Sequence, residues 1–175
     1  AEEKKVSTQS YAEHFHRWLL LIILTVLPCS SPYADDPISV KDKSLIDLLR
    51  SGGFNLYFRH ENTDWSQSDY IKKDGDWLSC DGDRIRQLSE NGKKRAKATG
   101  DVIRKLGIPV GGVFSSPYCR TVETAKLMGL GNVMPTTEVM NLRVANFFGE
   151  RSAIVKTAQN LLSKQPKAKT NNIIV

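Results

Sequence analysis

The chain has 175 residues, 40% of them hydrophobic and 25% charged, with 25 Lys+Arg against 19 Asp+Glu. That composition excludes a disordered chain, a collagen-like chain and a disulfide-dense miniprotein, and the length suits one domain. The net charge of +6 favours an anionic ligand, but spread over the chain it does not mark a nucleic-acid-binding protein.

Arg17 precedes the apolar run Trp18 to Leu27, which stops at Pro28 and gives way to Cys29, Ser30, Ser31 and Ala34. A bilayer span needs roughly 20 apolar residues, so no stable membrane span is expected. A basic flank, a short apolar core and a small-residue exit read as a secretory signal peptide cut after Ala34. A buried core helix is the competing reading, and a lipoprotein anchor at Cys29 is disfavoured by Pro28. Residues 1–34 are therefore read as upstream tail and signal peptide, and 35–175 as a domain exported to the periplasm or secreted. Ala1 is no ordinary start, the first methionine is Met128, and Ile173-Ile174-Val175 resembles the opening of a buried strand. The chain is expected to be a fragment, with its sheet incomplete at the carboxyl end.

Leu45, Ile46, Leu48 and Leu49 followed by Gly52-Gly53 predict a short helix with a glycine stop. Phe54 to Phe58 reads as a strand running into Arg59-His60. Residues 61–88 are polar and turn-rich, and the triplets Asp74-Gly75-Asp76 and Asp81-Gly82-Asp83 lack calcium-loop spacing, so they read as turns. Ser89 is placed to cap a helix reaching about Leu106, with Ala96, Gly100, Ile103 and Leu106 on its buried face. Val110 to Ser115 is a second strand, and Ser116-Pro117 opens a third helix. A short strand is expected at Glu138 to Leu142, a helix at Ser152 to Leu162, and a further strand from Asn172. Strands alternating with helices predict an α/β fold with a mainly parallel sheet.

Two strand exits carry unusual residues. Arg59-His60 follows the first strand, and Ser115-Ser116-Pro117-Tyr118-Cys119-Arg120-Thr121 follows the second. Ligand sites of open α/β sheets lie beyond the carboxyl ends of strands. Arg120 falls in the first turn of a helix, where free N–H groups favour an anion. Two arginines and a histidine converging there would make a phosphate pocket, with histidine as nucleophile. The bland alternatives are a structural histidine and a surface arginine paired with Glu123 or Glu90.

Residues 54–175 resemble the first two thirds of a histidine phosphatase domain of the phosphoglycerate-mutase-like superfamily. Arg59-His60-Glu61, with Thr63 and Trp65, is similar to the R-H-G-x-T-x-W-N signature. Leu88-Ser89-Glu90-Asn91-Gly92 resembles the opening of the next helix, and Ser115 to Ala125 resembles S-S-P-x-x-R-T-x-E-T-A. The resemblance implies a three-layer sandwich, a phosphohistidine intermediate on His60, phosphoryl binding by Arg59 and Arg120, and Thr63 near the pocket. It implies no metal and no organic cofactor. The expected reaction is hydrolysis of a phosphate monoester on a small molecule, sugar or protein, with no nucleic-acid partner; no oligomeric state follows.

The pattern is broken in places. Glu61 replaces the usual glycine, and its charge near His60 is expected to raise the histidine pKa. Ser66 replaces an Asn, and Val144 lies where members carry a catalytic Glu. Asp64, Glu61 and Glu150 are the candidates for general acid, Asp64 preferred. The second family histidine has no counterpart, since His14 and His16 precede the signal-like segment; it is expected beyond Val175, and little turnover is expected from these 175 residues. Cys80 and Cys119 either form one disulfide over the site or remain free thiols. Two other functions stand beside the enzyme: a phosphate-binding module that has lost catalysis, and a basic envelope-surface protein.

Overall fold

The structure, a computed structural model, describes residues 42–175. The signal-like segment and the boundary at Ala34 lie outside the described residues. Among the described residues four α-helices and four strands alternate: α1 (Asp42–Ser51), β1 (Asn55–Tyr57), α2 (Glu90–Lys105), β2 (Val110–Ser115), α3 (Cys119–Met128), β3 (Val133–Pro135), α4 (Arg151–Leu162) and β4 (Asn171–Ile174). The sheet order is β1-β4-β2-β3, and every pairing is parallel.

Local chemistry explains the boundaries. Ser89 Oγ accepts the Gly92 N–H at 3.1 Å and starts α2. Gly107, at φ 67°, takes the left-handed conformation that ends it. Gly100 lies on the buried face of α2, where an added Cβ would sit 1.8 Å from the Met128 carbonyl oxygen; only glycine admits so close an approach of α3. Both faces of the sheet are covered. Ile173 joins Val113, Ile103, Ala125 and Met128 on one side, with α2 and α3. Ile174, next along β4, joins Leu161 and Val139 on the other, with α4. Alternation along one strand thus feeds two cores, giving the three layers expected.

One expectation is corrected. Residues 137–139 form a 3₁₀ turn and 142–147 another, while the third strand lies earlier, at Val133–Pro135. Leu45 and Leu48 of α1 are exposed; Leu49 supplies its packing against the core. Among the described residues no helix is long and apolar enough to cross a membrane.

The segment 61–88 folds back on itself. Thr63 bridges Leu88 in antiparallel fashion, and the Tyr70 N–H donates to the Arg84 carbonyl at 2.8 Å. Gly75 adopts φ 82°, and the Asp83 N–H donates to Asp81 Oδ1 at 3.0 Å, so both DGD triplets are turns. Beneath them Trp77 is buried against Phe147 and Phe148, with ring centroids 5.5 and 5.4 Å away.

Candidate active site

A cavity of about 330 Å³ opens at the carboxyl ends of β1, β2 and β4. Its wall combines Arg59 and His60 after β1, Ser116, Tyr118, Arg120 and Thr121 after β2, Val139 to Asn141, and Val175 after β4. β4 inserts between β1 and β2, which brings the two strand exits to one crevice.

His60 Nδ1 lies 2.8 Å from the Glu61 carbonyl oxygen. A carbonyl oxygen only accepts, so Nδ1 carries the proton and Nε2 keeps its lone pair. The His60 pKa is lowered: burial is the largest cause, the Glu61 carbonyl opposes it, and the Arg120 and Arg59 charges add to the lowering. The expected rise from the Glu61 carboxylate does not occur. That carboxylate turns away and accepts from Arg95 Nε at 2.9 Å. The Glu61 N–H faces Thr124 Oγ1 at 3.3 Å.

The two arginines differ. The Arg59 guanidinium has no hydrogen bond or ion pair among the described residues and is exposed. Arg120 is buried, its guanidinium carbon 4.5 Å from the Tyr118 ring centroid. It pairs with Asp69 through Nη1 to Oδ1 at 2.8 Å and Nη2 to Oδ2 at 3.0 Å. The anticipated surface pairing with Glu123 or Glu90 is replaced by this buried one. Burial pulls the Asp69 pKa upward, but the hydrogen bonds and charge of Arg120, with the Arg86 N–H, hold it below the ordinary range. The Tyr118 hydroxyl has no partner, and burial raises its pKa to about 12.

One residue before Arg120, Cys119 is bonded to Cys80, so the open question of the cysteines resolves as a disulfide. Among the described residues no group of His, Cys, Asp and Glu is arranged to hold a metal ion.

The family model of the histidine phosphatase superfamily (branch 1) matches residues 56–162, more than half of the chain. The chain belongs to the histidine phosphatase superfamily. It is also 29% identical over 96 residues to agropine synthesis reductase of Rhizobium rhizogenes, a match that spans 54% of this chain but only 22% of that relative. Among solved structures it is similar to a SixA protein of Agrobacterium tumefaciens, with TM-score 0.47 and 16% identity, over 70% of this chain and 68% of the other. The open reading frame Rv3214 of Mycobacterium tuberculosis gives TM-score 0.44 and 16% identity, over 68% and 70%. The protein histidine phosphatase SixA complexed with tungstate gives 0.38 and 12%, over 67% and 65%.

Of the residues that the histidine phosphatase resemblance singles out, Arg59, His60 and Arg120 line the cavity, whereas Thr63 and Asp64 do not. Thr63 is buried in its bridge to Leu88. Asp64 accepts from the Ser66 N–H at 2.9 Å and Oγ at 2.7 Å, and these hydrogen bonds lower its pKa. Val144, where many histidine phosphatases carry a Glu, is fully buried beside Tyr118 and Met140. Sequence reasoning missed Asp69, which lies 51 residues from its partner; a lone aspartate in a polar loop gives no signal. Tyr118 lies within the segment Ser115 to Ala125 but has no distinguishing spacing.

Proposed function

We propose that this domain hydrolyses phosphate monoesters through a phosphohistidine intermediate on His60. The observation that carries the reading is the 2.8 Å contact of His60 Nδ1 with the Glu61 carbonyl, which leaves Nε2 as a free base beside an unpaired arginine. In the first step the Nε2 lone pair forms a bond to phosphorus as the ester P–O bond breaks, and the leaving oxygen takes a proton from a general acid. Water then attacks phosphorus, the N–P bond breaks, and inorganic phosphate leaves with His60 restored. Arg59 and Arg120 bear the charge of the phosphoryl oxygens. Thr63 is proposed to act from behind, holding the loop after β1. Asp64 stays a candidate acid only if it leaves Ser66, because its present hydrogen bonds favour the ionised form.

The substrate is a phosphorylated small molecule, sugar or protein. The domain is proposed to be exported, to the periplasm or outside the cell; the disulfide fits an oxidising compartment. The experiment incubates the 175-residue chain with p-nitrophenyl phosphate and seeks an acid-labile, alkali-stable phosphoryl adduct on the His60 peptide by mass spectrometry. An adduct lost in His60→Ala is the expected result, with slow release of phosphate.

A second reading is a phosphate-binding module without turnover. It is favoured by one observation: among the described residues no Asp or Glu side chain lines the cavity. Phosphate binding at His60 with no adduct would select it.

A further inference from the structure

Arg120 lines the cavity, yet its charge is already matched. Nη1 donates to Asp69 Oδ1 at 2.8 Å and to the Arg86 carbonyl at 3.2 Å, and Nη2 donates to Asp69 Oδ2 at 3.0 Å. The two side chains are 6% and 9% exposed. Asp69 is fixed in turn, accepting the Arg86 N–H at 3.0 Å. What remains is Nε, a buried donor without a partner. Native structures rarely leave such a group, and a ligand-binding role is one physical explanation.

We propose that Asp69 is a positioning residue of the phosphoryl site: it grips Arg120 by the Nη edge, leaves the Nε–H as the donor for a phosphoryl oxygen, and offsets one cationic charge so that phosphate is not held too tightly. The inference rests on the phosphoryl-site reading above. A purely structural clamp explains the pair less well. The same loop is already tied to the same helix turn by the covalent Cys80–Cys119 bond, one residue away. A buried ion pair is also a poor stabiliser, because desolvation of both charges offsets most of their attraction. Its geometric effect is specific, since the bidentate fork fixes the guanidinium plane. With Asp69 in place, the unpaired arginine of the cavity is Arg59, so the resting site carries about one net positive charge where two bare arginines would give two.

The test measures inorganic phosphate binding by calorimetry and the titration of the His60 ring by NMR, in the 175-residue chain. Asp69→Asn keeps an oxygen to accept from Arg120 and Arg86 but removes the charge. Phosphate should bind roughly tenfold tighter, as expected for one charge lost from a partly screened site, and His60 should titrate lower. Asp69→Glu keeps the charge but displaces the guanidinium; phosphate should bind more weakly while the His60 titration stays near wild type. Phosphate affinity and His60 titration unmoved in Asp69→Asn, or Asp69→Glu binding phosphate like the wild type, would overturn the role of Asp69. Because the two variants are read separately, failure of one to fold leaves the other decisive. If phosphate does not perturb His60 even in the wild type, the phosphoryl site itself is refuted.

Discussion

Replacing both Cys80 and Cys119 by serine removes a covalent link between residues 39 apart in sequence. In the chain-entropy description, opening a loop of about 40 residues costs about 4 kcal/mol at 25 °C, since the denatured chain regains its closure entropy. Residual structure in the unfolded ensemble trims this value. The described part of the chain is 134 residues, from 42 to 175, and unfolding entropy near 60 °C is about 2.1 cal/mol/K per residue. The double variant should therefore melt about 14 °C lower. Each single serine variant should cost nearly as much as the pair, because either one breaks the same bond. The assay is thermal unfolding by circular dichroism under non-reducing conditions, with thiol titration of the denatured wild type. A fall in Tm of less than about 4 °C, or single-variant losses that add up to the double, would refute the reasoning.

Three other outcomes follow from the same geometry. Gly100→Ala drives a Cβ into the Met128 carbonyl oxygen, 1.8 Å away, and should destabilise the fold by about 2–3 kcal/mol in urea titration; a neutral result would mean that α2 and α3 are not in register. The His60 pKa is lowered from 6.5, so the unfolded chain binds the proton first. The contribution of His60 to stability is then constant above about pH 6.5 and is lost as pH falls from there through the folded pKa; His60→Gln should flatten that limb of the stability–pH curve. Glu61→Gln should leave the His60 titration by NMR unchanged and alter stability by less than about 1 kcal/mol, because the Glu61 carboxylate meets an Arg95 that is 61% exposed.

Much of the architecture can be read from local signals that agree with one another. Ser89 before an amphipathic run, and Gly107 and Pro109 after it, bound α2 at both ends. β2 is bracketed by the same Pro109 and by Pro117. β3 escaped notice because Val133-Met134-Pro135 is only three residues long and ends in proline; its place is set by pairing with β2, not by propensity. In α1 the apolar spacing marked the helix, while Leu49 rather than Leu45 or Leu48 meets the core. At the site, Arg59, His60 and Arg120 were legible because each follows a strand or opens a helix. Asp69 was not, since its meaning comes from a contact across 51 residues. The orientation of Glu61 depends on Arg95, 34 positions away, which no spacing rule predicts.

The sheet order has a consequence for how the chain reaches this state. β1 and β2 are successive strands, yet neither pairs with the other; both pair with β4, and Asn55 lies opposite Asn172. Ile173 and Ile174, fully buried on opposite faces, join the cores on the two sides of the sheet only when that late strand arrives. Helical pairs such as α2 and α3 can dock early, but β1 waits through more than a hundred residues as an open edge, with the exposed Phe54 just before it and the exposed Tyr57 at its end. Loop closure over such a distance precedes any reward in contacts, so sheet assembly is the slow step, and the chain is most exposed to association and to chaperones before β4 is in place.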